Sequence, residues 1–470
     1  MKQAVKRFPY LPTICIVYLI QLAVGCANIV PPAGGPKDTL APYLIAAKPK
    51  DSSINIQPKE ILIGFNEYIT NADIQNNLIV SPTIKTTPLV DVRLNALRIR
   101  FNDSLAPNTT YSLQFGNAIK DVNEGNIAKN FTYVFSTGNQ IDTGRIVGYV
   151  KLAETGLIDS TLIVVLQPAG NDTAIFKNKP FYYSKLDGKG RFEFRFLPDQ
   201  NFQIFALPND YTKKYDDSTK LFAFLDKNIS ATTTIDTLHL YAFQAYKKTD
   251  KKKTSTTNTS SKKQAITGLK YSKSIEGNLQ DILKPVSLQF DRKVKLNDSF
   301  PIILTDTLNK LVEDYQISVD TINNSVQISH SWNHDEKYHL IIPQKSIADS
   351  LHTYLIKTDT LKFVIKPADA YGTVLIRTNG FQQFKHPILL LTQDDKIKYS
   401  YSITQPIIRI PLILPGDFTV KLLEDDNNNG EWDTGIYGKN KKQPEKIILV
   451  GTTISIKADW ENEFNIILKK

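Results

Sequence analysis

Residues 96–101 read Ala-Leu-Arg-Ile-Arg-Phe. In an extended chain, successive side chains point to opposite faces, so Leu97, Ile99 and Phe101 share one face and Arg98 and Arg100 the other. That step of two predicts a strand with one buried side. The same beat recurs where Tyr111, Leu113 and Phe115 alternate with Ser112 and Gln114, and where Phe131, Tyr133 and Phe135 alternate with Thr132 and Val134. It recurs again where Phe192, Phe194 and Phe196 alternate with Arg191, Glu193 and Arg195. Glu60 to Ile69 is apolar and strand-like, and no window of ten or more residues carries a convincing helical period. Turns such as Ala106-Pro107-Asn108 and Leu186-Asp187-Gly188-Lys189-Gly190 separate the runs at the spacing of β-sandwiches. The fold class is all-β, built of tandem β-sandwiches.

The length of 470 residues is enough for about three to five domains. With 41% hydrophobic and 22% charged residues, the chain can bury real cores, which excludes wholesale disorder. Its bias toward Ile, Val, Thr, Tyr and Phe, with a single Met, suits pleated, half-buried surfaces.

Residues 1–25 read as an export signal: Lys2, Lys6 and Arg7 precede a short apolar run from Leu11 to Val24. Leu22-Ala23-Val24-Gly25-Cys26 resembles a bacterial lipobox, which implies cleavage before Cys26 and lipidation of its sulfur. Ala23 stands where that pattern usually has Leu. The other cysteine, Cys15, leaves with the signal, so the mature chain has no pair to form a disulfide. Acyl groups on Cys26 would make the membrane the first partner, through a lipid anchor.

The net charge of +10 suggests nucleic acid only at first sight. Loss of Lys2, Lys6 and Arg7 lowers it to +7, and residues 247–263 hold seven lysines against Asp250, a net of +6. What remains is near neutral and offers no basic groove with stacking aromatics, so no nucleic-acid partner is expected.

The organisation reads as a signal peptide (1–25), a Pro/Gly-rich tether (26–38), a first β domain (39–138) and a second (143–246). A Lys/Thr/Ser linker (247–265) follows, and then the plan repeats over 266–367 and 369–470. Ser287 to Phe290 corresponds to Ile61 to Phe65, and Lys337 to Ile342 to Thr110 to Phe115. Leu361 to Ile365 corresponds to Phe131 to Phe135.

Residues 39–138 resemble the bacterial Ig-like domain named after the S-layer protein SbsA. Ile63-Gly64-Phe65-Asn66-Glu67-Tyr68-Ile69, Leu105 to Tyr111, the turn at Ile119-Lys120-Asp121 with Glu124-Gly125-Asn126, and Phe135-Ser136-Thr137-Gly138 carry the resemblance. The 266–367 copy departs, with Phe290-Asp291-Arg292 and no terminal Ser-Thr-Gly. Residues 143–246 and 369–470 resemble transthyretin-like or carboxypeptidase-regulatory-like sandwiches. Gly144 to Val150, Asp187-Gly188 before Phe192 and Leu197-Pro198 before Phe202 carry that likeness, as do Tyr371 to Leu375 and Leu414 to Phe418. These resemblances imply structural or binding roles in a Gram-negative envelope and supply no catalytic residues.

The sharpest local motif is Asp425-Asp426-Asn427-Asn428-Asn429-Gly430-Glu431-Trp432-Asp433. Read as D-x-N-x-N-G-x-x-D, it offers oxygens from Asp425, Asn427, Asn429 and Asp433 and the carbonyl of Glu431 to a calcium ion, which takes six to eight. No Glu stands at the twelfth position, where Ile436 sits. The alternative is a polar hairpin loop whose Asn, Asp and Gly supply turn conformations. The corresponding stretch Asn209 to Asp216 holds Lys213 and Lys214, lacks the glycine and is not expected to bind metal. His334 and His339 read as turn and strand residues, because zinc needs three or four converging ligands. The triplets Asp38-Thr39-Leu40, Asp103-Ser104-Leu105, Asp236-Thr237-Leu238 and Asp359-Thr360-Leu361 resemble O-glycosylation sequons of some Gram-negative bacteria, but the favoured reading is the ordinary occurrence of Asp-Thr at strand edges.

The sequence therefore predicts a non-enzymatic envelope protein, lipid-anchored in the outer membrane, with envelope proteins or glycans as partners. No cofactor is required, and calcium is the one ion the sequence provides for. The main function is a structural or interaction scaffold. The alternative is a surface module that binds glycan or peptide, stiffened by calcium.

Overall fold

A computed structural model describes residues 35, 37–70, 74–233, 236–245, 268–438 and 440–469. The signal peptide, Cys26, most of the tether and the 247–265 linker lie outside these residues. The chain forms two compact units. The first runs to Thr143 and includes Phe196–Pro198. The second holds Gly144–Arg195 and the chain from Asp199 onward.

In the first unit, one sheet has the order Leu44–Lys48, Glu60–Phe65, Ala96–Arg100, Leu89–Arg93, and the other Ile79–Ser81, Thr110–Gln114, Thr132–Ser136. Ile61, Ile63, Phe65, Leu97 and Ile99 from the first sheet meet Leu113, Tyr133 and Phe135 from the second in one core. On the outer face Arg98 pairs with Glu60 at 2.5 Å and Arg100 with Asp91 at 2.8 Å. The second sheet departs from the expected alternation, because Ser112, Val134 and Ser136 are buried as well. Residues 52–56 pair along the edge of the strand Thr132–Ser136, where Ser52 N–H bonds Val134 O and Ile56 N–H bonds Ser136 O.

Residues 269–365 repeat the strand order. Tyr271–Lys273, Val286–Phe290, Ser325–Ser329 and Gln316–Asp320 make one sheet, and Ile303–Asp306, Lys337–Ile342 and Asp359–Ile365 form the body of the other. Val286, Leu288, Val326, Leu340 and Phe363 lie in their shared core.

The two remaining segments also share one strand order. Residues 144–245 follow the path Tyr182–Lys185, Leu162–Pro168, Asn201–Pro208, Leu221–Phe224, Leu238–Gln244, Gly144–Leu152, Arg191–Leu197. Residues 372–467 run Lys396–Ser402, Pro387–Gln393, Gly416–Glu424, Lys446–Ile456 in one sheet and Glu461–Ile467, Gly372–Asn379, Ile407–Ile413 in another. In both, the last strand lies parallel to the first. The earlier copy differs in one respect: pairing of Leu221–Phe224 with Leu238–Gln244 joins its halves into a continuous sheet.

Two local features show how sequence sets this packing. A side chain at Gly148 would stand 2.5 Å from the Phe192 ring, so only glycine lets that ring lie on the strand. The alternation of the 191–197 strand breaks at Phe196, whose φ is +59°, and Leu197 takes the buried position that Phe196 was expected to fill. A positive φ in a bulky residue re-aims the strand as a bulge does.

Candidate functional site

The loop between Gly416–Glu424 and Lys446–Ile456 is where the second sandwich of this type reaches the first. Its equivalent in the earlier copy, between Asn201–Pro208 and Leu221–Phe224, is shorter. There Lys220 Nζ lies 2.5 Å from both Asp210 and Asp216, so an ammonium occupies the gap between two carboxylates.

In the longer loop, Asp425 is fully buried. Its Oδ1 accepts the N–H groups of Asn428 at 2.6 Å and Asn429 at 3.3 Å, and its Oδ2 accepts that of Gly430 at 2.8 Å. Burial works against its charge, but these backbone donors win and hold its carboxyl below the usual range. Asn427 Oδ1 accepts Asn429 N–H and Asn429 Oδ1 accepts Glu431 N–H. The Asn427 amide donates to Asp433 Oδ2 at 2.5 Å, and Lys442 Nζ lies 3.4 Å from the same oxygen. Every side-chain oxygen donor assigned to calcium is thus placed within one loop, and each already accepts hydrogen bonds there.

Glu445, which the sequence reading did not single out, closes the loop. It is 1% exposed, and its two oxygens accept Asp426 N–H and Asp433 N–H, both at 2.9 Å. Trp432 Nε1 donates to its carbonyl at 2.7 Å, and the indole packs on Ile388, Leu390, Leu423 and Ile447. A Gln-Pro-Glu run immediately before a strand was the available signal.

Beyond Asp433 the loop crosses to the 144–245 sandwich. Thr434 Oγ1 donates to Gln244 O at 2.9 Å. Gly435 lies against Phe243, where a Cβ would meet the ring at 2.7 Å. Tyr437 then enters an aromatic cluster, with ring centroids 5.8 Å from Phe176, 5.6 Å from Phe205, 5.0 Å from Phe222 and 4.9 Å from Phe224. Burial, with the Asp172 carboxylate nearby, pushes the Tyr437 hydroxyl up to about 12. Lys441 pairs with Asp172 at 3.1 Å, and Gln443 donates to Phe224 O and Asp226 Oδ1. Ile447 N–H bonds Ala153 O at 2.8 Å, and Lys446 Nζ lies 4.8 Å over the Tyr241 ring. The arm 434–447 completes the core of the other sandwich.

The remaining predicted residues fall elsewhere. His334 Nδ1 bonds Lys366 O at 2.8 Å in a turn, and His339 sits in a strand opposite Thr305. Among the described residues, no group of three or more His, Cys, Asp or Glu is placed to hold a metal ion. In three of the Asp-Ser/Thr-apolar triplets the Asp closes a local contact. Asp38 accepts Leu40 N–H, Asp103 accepts Thr86 N–H, and Asp359 accepts both Thr360 N–H and the Tyr271 hydroxyl. No helix among the described residues is long and apolar enough to cross a membrane.

The chain is similar to a number of solved structures, including the following three, and to one family model. The N-terminal part of the bacterial S-layer protein SbsC is 12% identical, with a TM-score of 0.16 over 41% of this chain and 44% of that one. The chain therefore spans less than half the length of that SbsC fragment. The Bacillus anthracis TIE protein is 12% identical, with a TM-score of 0.16 over 93% of this chain and 76% of that one. BcpA, the major pilin subunit of Bacillus cereus, is 9% identical, with a TM-score of 0.17 over 69% of this chain and 99% of that one. No curated protein matches the chain. Residues 38–137 match the bacterial Ig-like domain family, and that domain is the core of the first unit.

Proposed function

We propose that this is a non-enzymatic, lipid-anchored protein of a bacterial outer membrane, acting as a structural or interaction scaffold. Cys26 carries the lipid, and the tether spaces the first Ig-like domain from the bilayer. The 266–367 segment serves as a second Ig-like domain, and 143–246 and 369–470 as transthyretin-like sandwiches. Envelope proteins are the expected partners, met through loops and sheet edges.

The observation that carries the scaffold reading is the seating of Tyr437 among Phe205, Phe222 and Phe224. A long loop inserted into a neighbour's core ties together two sandwiches that lie far apart in the chain. Stiffness serves a protein that holds a surface at a distance.

The test is metabolic labelling with a palmitate analogue, followed by cross-linking in intact envelopes. The reading expects a labelled chain in the outer-membrane fraction, loss of label in Cys26→Ser, and cross-links to envelope proteins. An unlabelled chain that fractionates as a soluble protein would contradict it.

A further inference from the structure

A cleft of about 350 Å³ opens where the arm meets the 144–245 sandwich. Asp172, Gln203, Asp226 and Asn228 line it from the sandwich, and Tyr437 and Lys441 from the arm. We propose that this cleft binds a neutral mono- or disaccharide unit of an envelope glycan. The inference is independent of the scaffold reading, which can stand or fall without it.

Size is the first argument. The cleft lies near the lower end of the roughly 300–1,000 Å³ of small-molecule sites, which suits a short ligand rather than a folded partner.

The chemistry of the lining is the second. Asp172 is held by Gln203 Nε2 and by Lys441 Nζ at 3.1 Å, and Asp226 by Gln443 Nε2 at 3.1 Å. These bonds, two of them from other residues of the lining, hold the carboxylates in place, as pre-organised recognition requires. Gln203 Oε1 is buried out of a ligand's reach, and Gln203 serves the cleft through its Nε2 bond to Asp172. Asn228 adds an amide that both donates and accepts.

An apolar ligand would strip water from these groups and return nothing. An anion would face two carboxylates against one ammonium. Sugar hydroxyls donate and accept at once and can satisfy the whole set, while the carbon edges of Tyr437 and Phe205 suit the C–H faces of a sugar ring.

The cleft has a further consequence. Its lining comes from both sandwiches, so a bound sugar favours the closed seam and raises its stability in proportion to occupancy.

The experiment uses the mature chain, with methyl glycosides of glucose, galactose, mannose and N-acetylglucosamine and their disaccharides as probes, and glucuronate as the anionic comparator. Saturation-transfer NMR and calorimetry read binding. The expected result is that at least one neutral glycoside binds and raises Tm, that glucuronate does not bind, and that Asn228→Ala weakens binding at least about tenfold. Lys441→Gln, on the arm, is the second variant and should weaken binding too, so a folding failure of Asn228→Ala leaves the test intact. If no neutral glycoside binds, or if binding persists unchanged in folded Asn228→Ala and Lys441→Gln, the inference is overturned. Acylation of Cys26 and cross-linking in intact envelopes are unaffected by either outcome, so the two readings fail separately.

Discussion

The ring of Tyr437 lies 4.9 Å from that of Phe224, though the two belong to different copies of the same sandwich topology. Phe224 sits on a strand of the earlier copy, and Tyr437 on a loop that the later copy has lengthened. The contact fastens one copy to the other.

Tyr437→Ala removes a part-buried aromatic ring packed against the core and should cost about 2–3 kcal/mol, below the range for fully buried rings. Tyr437→Phe keeps the ring and gives up only a hydroxyl contact of 3.5 Å to Asp172 O, so it should cost less than about 1 kcal/mol. The urea transition of the C-terminal region, followed by Trp432 fluorescence, measures both. Equal losses from the two variants would show that the hydroxyl, not the ring, holds the seam.

The same hydroxyl gives the seam an alkaline limit. Its folded pKa is raised to about 12, above the ordinary value of about 10 for tyrosine. A raised pKa contributes stability that is complete below the unfolded value and is lost as pH rises through the folded one. The seam should therefore weaken between about pH 10 and pH 12, and Tyr437→Phe should remove that part of the dependence. An unchanged alkaline profile in Tyr437→Phe would refute the assignment.

Glu445 makes an equally direct prediction. Its two oxygens serve the backbone N–H groups of Asp426 and Asp433, so Glu445→Ala removes two part-buried hydrogen bonds and should cost about 1–3 kcal/mol. Glu445→Gln keeps one acceptor and should cost about half as much. Hydrogen exchange at Asp426 and Asp433 is the direct readout, because protection there should vanish in the alanine variant.

The calcium reading of 425–433 separates from the hydrogen-bonded loop in a simple melt. Asp425, Asn427 and Asn429 already accept backbone donors within the loop, so the loop should keep its Tm when EDTA replaces calcium. A Tm that rises with added calcium and falls with EDTA would place the ion there instead. Acid gives a second check. The depressed pKa of Asp425 contributes stability above the ordinary carboxylate value of about 3.9, and this is lost as pH falls below it. Asp425→Asn should flatten that acid limb.

Much of this architecture is legible in the sequence because a one-sided sheet writes a period of two into the chain. Leu97 and Ile99 face the core as read. The period fails where both sides of a strand are covered, as at Ser112 and Val134, since burial then no longer depends on parity. It also fails at Phe196, where a positive φ turns the strand over. The residues of the 425–433 motif were found, but their partner Glu445 was not, because a contact between the two ends of a long loop leaves no periodic trace. The arm itself was illegible for a related reason: Tyr437 and Gly435 look like loop residues until the strand carrying Phe222 and Phe224 is beside them.

The account rests on the seam holding the two sandwiches as one body. Spin labels at Lys177→Cys and Ile436→Cys, in the mature chain carrying Cys26→Ser, measure that directly, since Lys177 flanks the socket residue Phe176 and Ile436 precedes Tyr437. A single narrow distance distribution, broadened by Tyr437→Ala, is the predicted result. A distribution already broad in the parent chain would contradict it.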